Sequence, residues 1–272
     1  MKKVKVLCLS AALLLVVGAN VFAQKEKLTL EGSTTLLPIA QSAAEKYMDL
    51  NPSANLVVRG GGSGVGITSL IDGICDIANS SREIKPAEIT AAQAKKKQIE
   101  VIAVAKDGIT VIVSNNNPVS NLTQSQIADI YTGKVTNWSQ VGGKNEKIVV
   151  VSRDSASGTF EAFAELALKG QKVIAGALMQ SSNQAIVSLV SKTSGAIGYV
   201  GVGYASQSIK AVKVNGIAAD KTTVQNGTYP FSRDLYMCVI GKPKGETKKF
   251  IDFVLSPQGQ AIVEEQGFVS IK

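Results

Sequence analysis

Residues 28–35 read LTLEGSTT and residues 56–64 read LVVRGGGSG. Both are short apolar runs broken by glycine and then by Ser or Thr. The first leads into LLPIAQSAAEKYMDL (36–50), whose apolar residues recur at helical spacing. The second leads into a helical stretch through Leu70. A third short strand, 76–79, ends in Ser80-Ser81-Arg82. A fourth, 148–152, runs into Arg153 and then Ser157-Gly158-Thr159 ahead of the helix FEAFAELAL (160–168). Strands alternating with helices indicate an α/β fold with a largely parallel sheet.

The remaining segments fit that pattern. A helix is expected from Pro86 through AEITAAQAKKKQI, with Lys95 to Lys97 on its solvated face. Two strands follow, 101–105 and 109–114. The middle of the chain offers helices at 125–133 and 182–193, a strand at 195–201, and a loop under which Trp138 packs. FSRDLYMCVIG (231–241) reads as a strand and KKFIDFVLSPQGQAIVEEQG (248–267) as one closing helix. No tandem repeat and no low-complexity linker divides the chain.

Composition narrows the chemistry. The 272 residues are 45% hydrophobic and 18% charged, which is not the balance of a disordered segment. Three cysteines do not make a disulfide scaffold. With no histidine, Ser-His-Asp, Cys-His and His-bearing zinc sites are excluded. Gly60 to Gly66 satisfies neither G-x-G-x-x-G nor G-x-x-x-x-G-K-[ST]. No G-x-S-x-G elbow or S-x-x-K pair occurs.

The first residues, MKKVKVLCLSAALLLVVGANVFAQ, join a basic start to an apolar run and the small-x-small signal Val21-Phe22-Ala23. Residues 1–23 are therefore expected to be a signal peptide cut after Ala23. Cleavage removes Lys2, Lys3 and Lys5, leaving 249 residues and lowering the formal charge from +8 to +5. Cys8 lies inside the apolar run, so a lipid anchor is not expected. Cys75 and Cys238 remain, both in apolar surroundings, and are read as buried thiols. The scattered lysines do not form a nucleic-acid patch.

The repeated turns carry the chemistry. A helix N-terminus presents unpaired N–H groups and the positive end of the helix dipole. Ser and Thr add hydroxyl donors, and glycine allows close backbone approach. Together these make an anion site. One such turn would be ordinary capping. Gly32-Ser33-Thr34-Thr35, Gly62-Ser63-Gly64 and Ser157-Gly158-Thr159, with Ser80-Ser81-Arg82 and Arg153 near two strand ends, favour a tetrahedral oxyanion. The Arg153 guanidinium offers paired donors for it, and Asp154 could orient it. Donors without a nucleophile–base pair favour holding an anion over transforming it.

At these residues the chain resembles the PstS family, the phosphate-binding proteins of bacterial phosphate ABC transporters. The landmarks are EGSTTLLPIAQSAAEKY, RGGGSGVGITSLIDG, DIANSSREI, ADIYTGKVTNWSQVGG, SRDSASGTFEAF and GAIGYVG. The resemblance covers nearly the whole mature chain. It implies a type II periplasmic-binding-protein fold: two α/β domains joined by crossing hinge strands, with a ligand cleft between them. Domain I would comprise 24–113 and 229–272, and domain II 114–228. The crossing strands would lie near Ile109 to Ser114 and Tyr229 to Ile240. Carried over by motif, Thr34 gives a hydroxyl, Thr35 a backbone N–H, and Ser63 hydroxyl and backbone contacts. Arg153 gives its guanidinium, and Ser157, Gly158 and Thr159 the second turn. Ser81 stands where some members have an Asp that accepts the phosphate's proton, which weakens the expected exclusion of sulfate. Asp76 is expected to point away, and Tyr199 is left open.

The resemblance implies capture of inorganic phosphate, delivery to the permease subunits of an ABC transporter, and no metal or organic cofactor. It implies a monomer in the periplasm, or a secreted one in a single-membrane cell. Other readings are a binder of sulfate or another tetrahedral oxyanion, a surface interaction protein on the same fold, and a phosphatase with a Ser or Thr nucleophile.

Overall fold

The apolar runs of the sequence form the strands of one curled, mixed sheet in the computed structural model, which describes residues 27–271. The expected signal peptide, 1–23, lies outside the described residues. In chain order the elements are β1 (Lys27–Gly32), α1 (Leu37–Leu50), β2 (Asn55–Arg59), α2 (Ser63–Asp72), β3 (Ile77–Ser80), α3 (Pro86–Ala94) and β4 (Ile99–Val113). Then come β5 (Asn121–Leu122), α4 (Gln124–Tyr131), β6 (Val149–Arg153), α5 (Gly158–Leu166), β7 (Leu178–Gln180), α6 (Asn183–Lys192) and β8 (Ala196–Gly201). The chain closes with β9 (Lys210–Val214), α7 (Lys221–Gln225), β10 (Ser232–Ile240), α8 (Gly245–Leu255) and α9 (Pro257–Glu265). Strand order is β2-β1-β3-β10-β4-β8-β6-β7, with β9 on β4 and β5 on β9. β1, β2 and β3 run parallel, as do β6, β7 and β8, whereas β10 is antiparallel to β3 and β4, and β8 to β4.

Two large cores form along this sheet among the described residues, with smaller clusters around Ile186 and Val200 and around Ile67 and Cys238. Leu30, Ile39, Leu56, Ile77, Val104, Met237, Phe250 and Val263 pack together at the β1–β2–β3 end. Val113, Ile130, Trp138, Phe163, Tyr199 and Phe231 pack at the other end. β4 and β10 pair from Gly108↔Ser232 to Ile99↔Ile240, with one register shift between Leu235 and Tyr236 that leaves Val104 unpaired in the ladder. β4 then continues to pair with β8 from Ile109 to Val113, so a single strand serves both cores.

The structure corrects several expectations. The two strands read at 101–105 and 109–114 are one strand. Lys106, Asp107 and Gly108 break the apolar run, but Asp107 is paired across the ladder by Arg233 and loses no partner. The closing helix is two helices, because Pro257 holds Ser256 extended (φ −71, ψ 164) and Ser256 caps the second through its hydroxyl. α3 ends at Ala94, so Lys95 to Lys97 form a turn and not a helix face. Lys96 is left-handed (φ 57), Lys95 pairs with Asp72 at 2.6 Å, and Lys97 donates to the Ile71 carbonyl. The sheet is mixed, not largely parallel. Trp138 is buried and donates from Nε1 to the Gly195 carbonyl at 2.8 Å. Cys75 and Cys238 are buried free thiols. Asp76 sits at the opposite end of β3 from the turns, where it accepts the Thr29 N–H. Among the described residues no helix is long and apolar enough to cross a membrane.

Candidate functional site

Parallel strands put their C-terminal ends, and the helix N-termini that follow, along one line. Here β1, β3 and β6 end beside the starts of α1, α2, α5 and α6, and their hydroxyls converge. Thr35 Oγ1 lies 2.9 Å from Thr159 Oγ1 across 124 residues of sequence. Ser63 Oγ lies 3.3 Å from Ser81 Oγ and accepts the Ser81 N–H at 3.0 Å. Gly158 is the reason this packing is possible. A Cβ there would sit 2.3 Å from Ser63 Oγ and 2.8 Å from Ser81 Oγ. Gly62 plays the same part in the facing turn. Its φ of 100 suits glycine, and a Cβ would sit 2.5 Å from the Ala156 carbonyl oxygen.

Arg153 ends β6 and is 1% exposed. It donates from Nε to the Gln180 carbonyl at 3.1 Å and from Nη2 to the Ser181 carbonyl at 3.0 Å. Among the described residues no carboxylate lies within 4.0 Å of it: Asp154 turns aside to accept the Ala156 N–H. Burial lowers its pKa, with the Asp154 charge opposing and the Arg233 charge assisting. A buried cation without a counter-ion is costly on its own and calls for an anion.

Arg233, from β10, lies beneath the hydroxyls. It forks onto Asp107 at 2.6 and 2.9 Å, donates to the Ser81 carbonyl, and reaches Thr159 Oγ1 at 3.0 Å. Asn183, fully buried at the start of α6, donates to Thr34 Oγ1 at 3.0 Å and Thr35 Oγ1 at 3.1 Å. The arrangement is a buried nest of donors that includes two arginines.

A PBP superfamily domain model matches residues 20–258. The phosphate-binding protein PstS of Bacillus subtilis is 32% identical over 90% of this chain and 80% of its own length. That of Borreliella burgdorferi is 32% identical over the full length of both chains. The chain belongs to the PstS family. Its backbone also superimposes on a solved structure, a putative phosphate ABC transporter substrate-binding protein with bound phosphate from Clostridium perfringens. That match has a TM-score of 0.85 and 36% identity over 90% of this chain and all of the other. The fold is that of the type II periplasmic phosphate-binding proteins.

In this PstS-family chain the residues singled out by sequence are not equally engaged. Thr34, Thr35, Ser63, Ser81, Gly158 and Thr159 are in mutual contact directly or through Asn183. The Thr35 N–H, however, donates to Ser33 Oγ at 3.1 Å, and its hydroxyl is what meets the cluster. Ser157 caps α5 by accepting the Phe160 N–H. Arg153 faces the β7–α6 loop and meets the cluster electrostatically. Sequence reasoning missed Arg233, Asn183 and Asp107; the only prior signal was a charged pair interrupting two apolar strands. It left Tyr199 undecided. Tyr199 is buried, stacks on Phe163 at 3.9 Å, bonds Ser152 Oγ at 2.8 Å and accepts the Arg153 N–H. Burial pushes its pKa up to about 12. It thereby ties the arginine strand to α5.

At the mouth of the site Arg82 links the two sides. It forks onto Glu88 at 2.7 and 2.9 Å and pairs through Nε with Glu161 of α5 at 2.6 Å, and Lys85 adds a second contact to Glu161 at 2.8 Å. Burial works against the Arg82 charge, but the two carboxylates more than offset it, and its pKa is raised. A cavity of about 520 Å³ opens here, walled by Ser81, Arg82, Glu161 and Arg233.

Proposed function

We propose that this chain is a solute-binding protein that captures inorganic phosphate and presents it to an ABC transporter. The observation that carries this reading is the buried Arg153 guanidinium, without a carboxylate within 4.0 Å, beside a nest of hydroxyl donors. The PstS relatives and the phosphate-bound neighbour support the same ligand. Thr34, Thr35, Ser63, Ser81, Arg153, Ser157, Gly158 and Thr159 form the cage. The chain divides into 24–113 with 229–272 and 114–228, two lobes that close over the anion about β4 and β10. It works outside the cytoplasm as a monomer, docking on the permease subunits. Its PstS-family relatives support a binding role over a catalytic one.

Thermal unfolding of the purified protein with and without inorganic phosphate tests this reading. Ligand at 100 times Kd adds about 2.7 kcal/mol, a rise of roughly 5–10 °C for a chain of this size. Arg153→Ala should abolish that rise while melting normally without ligand. An undiminished rise in the variant would remove Arg153 from the site, and none in the wild type would reject phosphate as the ligand.

A further inference from the structure

We infer that the loop from α5 to β7 is a docking surface that seats this chain reversibly on an anionic phospholipid bilayer. The stretch KGQKVIAGALM, residues 169–179, forms the loop and the first two residues of β7. Within it only Val173 and Ala177 are half-buried, and every other residue is exposed. Ile174, Leu178 and Met179 are 36%, 43% and 49% exposed. Three of the eight exposed large hydrophobics among the described residues therefore fall within six positions of sequence. Scattered singly they would need no explanation, but a cluster does.

The backbone holds this cluster out. Lys169 and Gly170 are both left-handed (φ 50 and 78), and the Ala177 N–H closes back onto the Ile174 carbonyl at 3.0 Å. A Cβ added at Gly170 or Gly176 would meet nothing within 4 Å, so the tip stands clear of the body. Its root is fixed, because the Ile174 N–H donates to the Tyr131 carbonyl at 2.8 Å and the Ile174 side chain lies over Gly133. A fixed root lowers the ordering cost of docking. Beside the tip, Val135, Val149, Ile174 and Leu178 line a mainly apolar cavity of about 240 Å³. β7 pairs with β6 on one side only, and its residues, Leu178, Met179 and Gln180, carry none of the charge that commonly guards an open edge.

The charges around the tip set the chemistry of the partner. Lys134, Lys147, Lys169 and Lys172 are all exposed. Lys147 lines the apolar cavity, and Lys134 follows the glycine that Ile174 covers. Nearby acids do not cancel them. Asp129 is matched by Lys134 at 3.3 Å, Glu146 packs against Gly195, and Glu165 faces the separate cavity walled by Arg82. A second copy of this chain on the patch would set lysines against lysines. An apolar tip ringed by lysines instead fits a surface that is anionic outside and apolar beneath, which is the layering of headgroup phosphates over acyl chains. Docking there would hold the chain on the plane in which a membrane transporter lies, without a covalent anchor. None of these residues belongs to the oxyanion nest, so vesicle binding and phosphate binding are separable.

Flotation of the purified protein with vesicles tests this, using phosphatidylcholine alone and an equal mixture of phosphatidylcholine and phosphatidylglycerol. At about 0.1 M salt the chain should float with the mixed vesicles and not with the neutral ones, and binding should weaken at about 1 M, where the screening length falls from about 10 Å to about 3 Å. Lys169→Gln with Lys172→Gln should bind about 30-fold more weakly, at about fivefold per lysine. Leu178→Ser with Met179→Ser should lose at least about tenfold. Ile74→Ser, which alters an apolar residue 63% exposed beyond α2, should bind as wild type does. Melting of each variant in buffer checks its fold. Wild type that ignores the mixed vesicles, equal binding to neutral ones, or full binding by both double variants would each overturn the inference. So would equal loss in Ile74→Ser, or self-association in vesicle-free solution that Leu178→Ser with Met179→Ser abolishes, which would assign the patch to a second copy.

Discussion

Gly158→Ala separates folding from binding. Gly158 occupies the first turn of α5, where its backbone needs no positive φ, so alanine suits the helix and should leave the chain as stable or up to about 1 kcal/mol more so. Across the cleft the new methyl would stand 2.3 Å from Ser63 Oγ and 2.9 Å from Ser63 Cβ. Turning the Ser63 hydroxyl away does not relieve it, because the Cβ contact remains. Ordinary contact begins at 3.4 Å, so the two turns must part by about 1 Å. Hydrogen bonds near 2.9 Å would stretch to about 3.9 Å, beyond useful range. Two bonds to a charged ligand, at about 1.5–3 kcal/mol each, would be lost, or roughly 10²–10⁴-fold in affinity. Calorimetry gives the affinity and urea melts give the stability. A variant that binds phosphate as tightly as wild type would refute the close approach of these turns. One that fails to fold would refute the reading of Gly158 as a spacing residue.

Glu161→Gln should release phosphate about 5–30-fold faster in stopped-flow, since Arg82 keeps Glu88 but loses its charge contact across the mouth; an unchanged release rate would remove the pair from the closing contact. Burial raises the pKa values of Cys75, Cys238, Tyr199 and Tyr204 to about 12. The folded chain therefore keeps protons that the unfolded chain sheds. This contribution is complete below about pH 8.5 and is lost as pH rises toward 12, at up to about 1.4 kcal/mol per pH unit for each group. Urea midpoints should fall steeply between about pH 9 and pH 11, and a flat midpoint would refute the assignment.

What sequence could reveal followed from how local the cause was. β1, β2 and β3 and their Ser/Thr/Gly turns are local patterns of apolar alternation and helix starts, and they are visible without tertiary knowledge. β4 reads as two strands because Lys106-Asp107-Gly108 interrupts it, and only Arg233 on β10 shows that the interruption is paired. Asn183 lies 149 and 148 residues from the threonines it orients, and Arg233 is 198 from Thr35. Nothing near either residue announces its role. α8 and α9 are read as one helix from sequence, although Ser256-Pro257 carries a local stop and start signal. β5 and β7, of two and three residues, lack the length to stand out, whereas β9 (KAVKV) alternates and is passed over.

The β1–β2–β3 core draws residues from Leu28 to Ala105 and then from Leu235 to Phe268, so it is completed by the last part of the chain. The other core runs from Ile109 to Phe231, with Val269 its one contribution from the last part of the chain. Assembly order therefore inverts synthesis order. The inner stretch can condense as soon as it is made, while the opening stretch waits for α8 and α9, leaving its strand edges exposed the longer. Pulsed hydrogen exchange during refolding should protect Val111 and Tyr199 before Leu30 and Ile77, and the reverse order would contradict this.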